Sequence, residues 1–161
     1  MGSEAMKVRL ATPKEAEECW SIRNQSIRHG CQSSYSAAVI AAWTPEAMPE
    51  NYRVVITNNP FFVIDGQNSR PVATGYLDLS TGSVEAIFTS PDYIGKGFAG
   101  LILEMIKDEA RKRGFKQLTL SSTPNAQSFY QKHGFILLRE NLYPSSLAQA
   151  DLRCMDMSIE L

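Results

Sequence analysis

Between residues 61 and 112 the hydrophobic pattern changes period once, and that change limits the chain to a few folds. Three runs, 61–65, 71–79 and 83–89, are rich in β-branched and aromatic residues, with short turns at 66–69 and at Ser80-Thr81-Gly82. Strands joined this closely pair as an antiparallel meander, which Pro91 then stops. From Phe98 the spacing is helical. Phe98, Leu101, Ile102, Met105 and Ile106 fall at i, i+3, i+4, i+7 and i+8, with Glu104, Lys107, Asp108 and Glu109 opposite. Arg111-Lys112-Arg113 suits the negative end of this helix, and Gly114 a left-handed stop.

Either side of this segment the elements alternate. Residues 7–11 read as a strand, and Thr12-Pro13 opens a helix to about Ser26 with Ala16, Cys19, Trp20, Arg23 and Ile27 on one face. Residues 32–36 form a loop, and Ser36 opens a short helix through Trp43 that Pro45 and Pro49 break. After the long helix come a strand at 115–121, a short helix from Thr123-Pro124 to Gly134, a strand at 135–139, a loop around Pro144 and a last strand at 153–161. The expected fold is α/β: a central mixed, mostly antiparallel sheet with helices on both faces. The length of 161 residues fits one domain, expected to begin at Met6 after a dangling leader of residues 1–5.

The net charge of −1 and the lack of a Lys/Arg block argue against nucleic acid as the partner. Apolar stretches such as 37–43 are too short to cross a bilayer, and the N-terminal residues lack the basic and apolar regions of a signal peptide. Three cysteines without C-x-x-C spacing and two histidines point to neither a disulfide framework nor a metal site. A cytoplasmic location is the expectation.

Between the third meander strand and the amphipathic helix lies Gly95-Lys96-Gly97-Phe98-Ala99-Gly100. Small residues let a backbone approach a ligand closely, and a helix N-terminus offers free N–H groups and a positive dipole, a combination that holds a pyrophosphate. A turn with no ligand is the plain alternative. The same residues spell G-x-G-x-x-G, but a dinucleotide site expects an acidic residue after the next strand, where Ser121-Ser122-Thr123 stands. An antiparallel meander also precedes the loop, so the Rossmann reading fails on context. A Walker loop fails for want of Gly-Lys-Ser/Thr at the required spacing.

Four stretches together resemble the GNAT superfamily of N-acetyltransferases. Val84-Glu85-Ala86-Ile87-Phe88-Thr89-Ser90-Pro91-Asp92-Tyr93 is similar to the strand and loop before the family's phosphate site. Ile94-Gly95-Lys96-Gly97-Phe98-Ala99 matches its Q/R-x-x-G-x-G/A motif, except that Ile94 stands at the first position. The segment from Asn125 through Tyr130 to Gly134-Phe135 resembles the later Asn…Tyr…Gly-Phe stretch, and Tyr35-Ser36 with Ala41-Ala42-Trp43 resembles a bacterial branch. The resemblance implies acetyl-CoA as co-substrate, no metal, and transfer to a primary amine by direct attack in a ternary complex, the acceptor unidentified. A non-catalytic acyl-CoA-binding or regulatory module on the same fold is the alternative, and Ile94 adds some weight to it. A small oxidoreductase is a distant third.

The resemblance also implies roles. The pantetheine arm would lie beside Ile87, Phe88 and Thr89, where the strand splays and frees N–H donors for a developing oxyanion; ordinary pairing and core packing are the alternatives. Gly95, Lys96, Gly97, Phe98, Ala99 and Gly100 would cradle the phosphates, and Asn125 would meet the arm unless it caps a helix. Tyr130 would be the general acid, against a plain core tyrosine. Glu85 would be the base through a water, against a solvated strand residue, with Asp78 and Asp92 weaker candidates. Strand alternation places Glu85, Ile87 and Thr89 on one face and Ala86 and Phe88 on the other. His133 reads as a helix-end partner and Lys96 as a solvated neighbour of phosphate. Trp20, Arg23, Asn24, Tyr35 and Trp43 would line the acceptor cleft, or simply pack. A homodimer through the exposed last strand is a further expectation.

Overall fold

The computed structural model describes residues 7–161, so the expected leader and Met6 lie outside the described residues. The elements follow in chain order as β1 (Val8–Leu10), α1 (Ala16–Gly30), α2 (Ala37–Trp43), α3 (Asn51–Asn58), β2 (Phe61–Asp65), β3 (Pro71–Asp78) and β4 (Ser83–Thr89). Then come α4 (Phe98–Lys112), β5 (Gln117–Ser122), α5 (Gln127–Lys132), β6 (Ile136–Ser145) and β7 (Ala150–Glu160). One seven-stranded sheet runs β1-β2-β3-β4-β5-β7-β6. Every pairing is antiparallel except β4 with β5, which meet in parallel only at Ser83 and Thr119. Beyond Ser83 the two strands diverge, and β4 has no strand partner on that side.

Helices cover both faces, as the mixed pattern requires. The apolar stripe of α4 buries Phe98, Ile102, Leu103, Ile106 and Ala110 against Ile64, Ala73, Leu77, Val84 and Leu118. On the other face α1 and α3 cover Phe61 and Val63 with Ala16, Cys19 and Ile56. A third cluster joins Ile27, Cys31 and Ile40, with Tyr35, Trp43 and Phe88 packed on it. The start of α1 carries a cap in which Glu15 Oε1 accepts from the Thr12 N–H at 2.9 Å.

Three elements differ from the sequence expectation. Helix α1 runs to Gly30 rather than Ser26, and α3 occupies a stretch to which the sequence pattern assigns no element. Strand β6 continues through Pro144, where a loop was expected, and turns only before Ala150. Proline is tolerated there because β6 is the sheet edge, so its missing N–H need not disturb a ladder bond. The free edge is therefore β6, whose Ile136, Leu138, Leu142 and Tyr143 are exposed. The last strand, β7, lies between β5 and β6, which corrects the expectation that it forms the open edge.

Candidate acyl-transfer site

The site begins with a bulge. Tyr76 pairs with Glu85 and Thr74 with Phe88, so β4 holds one residue more than β3 between these pairs. Ala86 takes the strain at φ 57°, and the fully buried Thr74 donates its hydroxyl to the Ala86 carbonyl at 2.7 Å. Gly75 opposite leaves the room: a Cβ there would stand 2.5 Å from Ile87 Cδ1 and 2.6 Å from Ile102 Cγ2. The extra residue breaks the alternation. Ile87 turns toward α4, with Thr89 opposite Ala73 on the same face, whereas Glu85 and Phe88 stand with Tyr76 and Thr74 on the α1 side. Glu85 thus does not share a face with Ile87 and Thr89, contrary to the simple pleat.

The bulge points the chain into the glycine loop. Pro91–Tyr93 makes a short 3₁₀ turn, and Gly95 and Gly97 follow at φ 86° and 81°. A Cβ added at either would meet nothing of the chain within 4 Å. Within the described residues, no acceptor takes the N–H groups of residues 95–100, and the first carbonyl to accept at this end of α4 is that of its N-cap Gly97, from Leu101 at 3.1 Å. A row of free N–H groups at the start of a fifteen-residue helix is an anion cradle. Lys96 and Ile94 are exposed, so the missing Gln or Arg of the motif leaves the backbone cradle intact. Two of the expected residues contribute backbone only. The Phe98 ring is buried and stacks on Tyr93 at 6.0 Å, and Gly100 is small because a Cβ would sit 3.1 Å from the His133 ring.

Between the diverging strands lies a cavity of about 220 Å³. Ile87, Phe88 and Thr89 form one wall, Ile94 and Ala99 the mouth by the loop, and Asn125 and Tyr130 the opposite side. Tyr130 is buried, yet its hydroxyl bonds to no group of the described chain and is not sealed from the cavity. Burial pushes its phenol well above the usual tyrosine range, and the nearby Glu85 carboxylate adds to the push. Asn125 caps no helix; its Oδ1 instead accepts from Ser34 Oγ at 3.3 Å, beside Gly30.

Glu85 lies outside the cavity wall. It is half-buried, accepts from Ser83 Oγ at 2.7 Å, and burial holds its carboxyl above the usual range, with Asp78 adding to the effect and Ser83 opposing it. Asp78 itself is engaged by Ser80 in a turn, and Asp92 is exposed. His133 packs on Phe129 at 4.7 Å between ring centroids and faces Glu104 at 3.6 Å, away from the cavity. Of the residues expected at an acceptor cleft, Trp20 and Asn24 are buried and bond the Pro45 carbonyl, and the Tyr35 hydroxyl donates to the Arg153 carbonyl at 2.5 Å. Arg23 and Trp43 lie together between α1 and α2. Sequence reasoning missed Gly30 and Cys31 as cavity walls, because they enter only through the longer α1.

Residues 31–161 match the family model for the acetyltransferase (GNAT) domain. An uncharacterized acetyltransferase of Streptococcus pyogenes serotype M1 is similar at 36% identity over 95 residues, which span 53% of this chain and 66% of that protein. The match thus covers just under two-thirds of the relative's length. A GCN5-related N-acetyltransferase from Rhodopseudomonas palustris shares the fold at a TM-score of 0.86 and 22% identity, covering 97% of this chain and 96% of that one. The PaiA N-acetyltransferase of Thermoplasma acidophilum, solved with coenzyme A, has a TM-score of 0.76 at 16% identity, covering 97% and 99%.

Proposed function

The chain belongs to the GNAT acetyltransferase family, and from that premise we propose that it moves an acetyl group from acetyl-CoA to a primary amine by direct attack in a ternary complex. One observation carries the reading: a single cavity is lined by the unpaired flank of β4, by Tyr130 and, through Ile94 and Ala99, by the loop whose N–H groups at 95–100 are free. The residues present fit the co-substrate. The glycine loop offers donors and open space to a pyrophosphate, and the cavity is lined by Ile87, Phe88, Ala99 and Asn125, which suit a pantetheine arm. Acetyl-CoA supplies an acyl group activated as a thioester.

The chain's own residues then handle charge and protons. N–H groups on the open side of β4 stabilise the oxyanion as the amine adds to the carbonyl. Glu85 takes the amine's proton through a water, since it stands off the cavity wall; its raised pKa brings it nearer neutrality, where a base works best. Tyr130 hands its proton to the departing sulfur. Its raised pKa keeps the proton in place until then, and the burial that disfavours the phenolate disfavours a thiolate beside it as well. Cys31, though it lines the cavity, is buried with its thiol pushed up, which makes it a poor nucleophile and supports direct attack over an acyl-cysteine route.

The test is a pH–rate profile of wild type, Tyr130→Phe and Glu85→Gln. Tyr130→Phe lowers turnover roughly 10²-fold at every pH, with acetyl-CoA affinity little changed. Glu85→Gln slows turnover most below the amine's own pKa and recovers as pH rises, because more acceptor arrives neutral. Full activity of both variants across the range rejects these roles.

A further inference from the structure

Arg23, on the face of α1 that packs against α2, is a buried cation whose chemistry the mechanism leaves unused. It is only 9% exposed, and among the described residues no carboxylate pairs with it. A buried cation without an anion is costly, and one that persists has usually a partner to meet. Nη1 alone does structural work, donating to Asn24 Oδ1 at 2.8 Å and to the Trp43 carbonyl at 2.9 Å. The guanidinium carbon lies over the Trp20 ring, 4.2 Å from its centroid, with the Trp43 centroid at 5.7 Å. Nε and Nη2, with three N–H between them, bond to nothing in the described chain, and neither is sealed from solvent. Beside them the Tyr52 hydroxyl is buried without any partner. With three free guanidinium N–H groups and one unpartnered hydroxyl, this corner has more donors than acceptors.

A chain of packed rings leads from it toward the strand that carries Glu85: Trp20 to Tyr52 (5.2 Å between centroids), to Phe61 (6.1 Å) and to Tyr76 (5.2 Å), the cross-strand partner of Glu85. Arg23, over Trp20, and Glu85, opposite Tyr76, stand at the two ends of this chain of rings, on the α1 side of the sheet. Burial pushes the Arg23 pKa down to about 10, and its charge draws Tyr52 down against the burial that raises it.

We propose that Arg23 receives an anionic group of the acceptor, so that the acceptor is a primary amine carrying a carboxylate, phosphonate or phosphate. The amino end lies toward Glu85, and the planar fork of Nε and Nη2 takes two oxygens of the anion. The proposal rests on the amine-transfer reading above for the identity of the other end.

Two arms test it. In the first, wild type is offered ω-amino carboxylates of increasing length and their neutral amides, and thiol release is followed. The carboxylates show kcat/KM at least tenfold above their amides, the difference residing in KM. Equal kcat/KM for the two series, or better amides, overturns the proposal, with no variant needed. In the second, protein saturated with coenzyme A, so that the glycine loop is filled, is melted with methylphosphonate at matched ionic strength. Wild type is stabilised and Arg23→Met binds the dianion at least tenfold more weakly; the first arm needs no variant and stands even where Arg23→Met does not fold. No stabilisation of wild type, or equal stabilisation of wild type and Arg23→Met, overturns the anion site. Anion binding that depends on Arg23, with no thiol released for any amine, instead sinks the transfer reading and leaves the site standing.

Discussion

Valine at Gly97 separates the cradle's two requirements, conformation and space. Gly97 sits at φ 81°, where an L-residue is disfavoured by roughly 1–2 kcal/mol, more for a β-branched one. No atom of the chain lies within 4 Å of the added Cβ, so strain is the whole effect on the free protein. At about 2–4 °C of Tm per kcal/mol for a chain of this size, Gly97→Val melts roughly 2–8 °C lower but folds. Acetyl-CoA at a hundred times its Kd stabilises wild type by about 2.7 kcal/mol, or roughly 5–11 °C. In Gly97→Val the side chain fills the space the phosphates need, and that increment falls to about 1 °C or less at the same concentration. Gly114 is the matched control: φ 86°, nothing within 4 Å, and a place at the far end of α4. Gly114→Val lowers the melting point similarly and retains the full acetyl-CoA increment. The assay is differential scanning fluorimetry with and without ligand. An undiminished increment in Gly97→Val, or an equal loss in Gly114→Val, refutes the cradle's position.

Thr74→Val leaves the Ala86 carbonyl without its buried donor, costs about 1–3 kcal/mol in denaturant unfolding, and lowers turnover by loosening the bulge. A stability change below about 0.5 kcal/mol would show that the bulge holds itself. Gly75→Ala drives a methyl into Ile87 and Ile102 and is overpacked by about 1–3 kcal/mol, checked by thermal melting. Arg9 bonds Glu15 and Asp65 and holds the Glu15 carboxyl below its ordinary value, so this contribution is present above the unfolded pKa and is lost as pH falls through the folded one. Both partners are partly exposed, so Arg9→Met flattens the acid limb of the stability–pH curve by about 1 kcal/mol or less.

The meander and α4 were legible because their signals are local. Period 2, a short turn, then an uninterrupted apolar stripe leave few alternatives, and Gly97 and Gly95 carry their requirement in their identity. The face assignment of Glu85 was not legible, because it depends on how β3 and β4 register across Gly75. An isolated glycine inside a strand was the available signal for a bulge. Helix α3 was hidden by Pro45 and Pro49, although Tyr52, Val55 and Ile56 do fall at i, i+3 and i+4. Phe98 and Gly100 belong to the motif by sequence, but packing against Tyr93 and His133 determines what they present. Arg23 reads as a face residue of α1 and one of five candidates for the acceptor cleft; only burial and the tally of its hydrogen bonds set it apart from the other four.

The most direct test of the account is free-thiol release from acetyl-CoA against a pooled set of amines, with the products weighed by mass spectrometry. Transfer by Tyr130 and Glu85 gives amine-dependent release, one acetyl group added to an amine nitrogen, and a rate roughly 10²-fold lower in Tyr130→Phe at unchanged acetyl-CoA affinity. Full thermal stabilisation by acetyl-CoA without thiol release for any amine would contradict it, and would make the chain an acyl-CoA-binding module on the same fold.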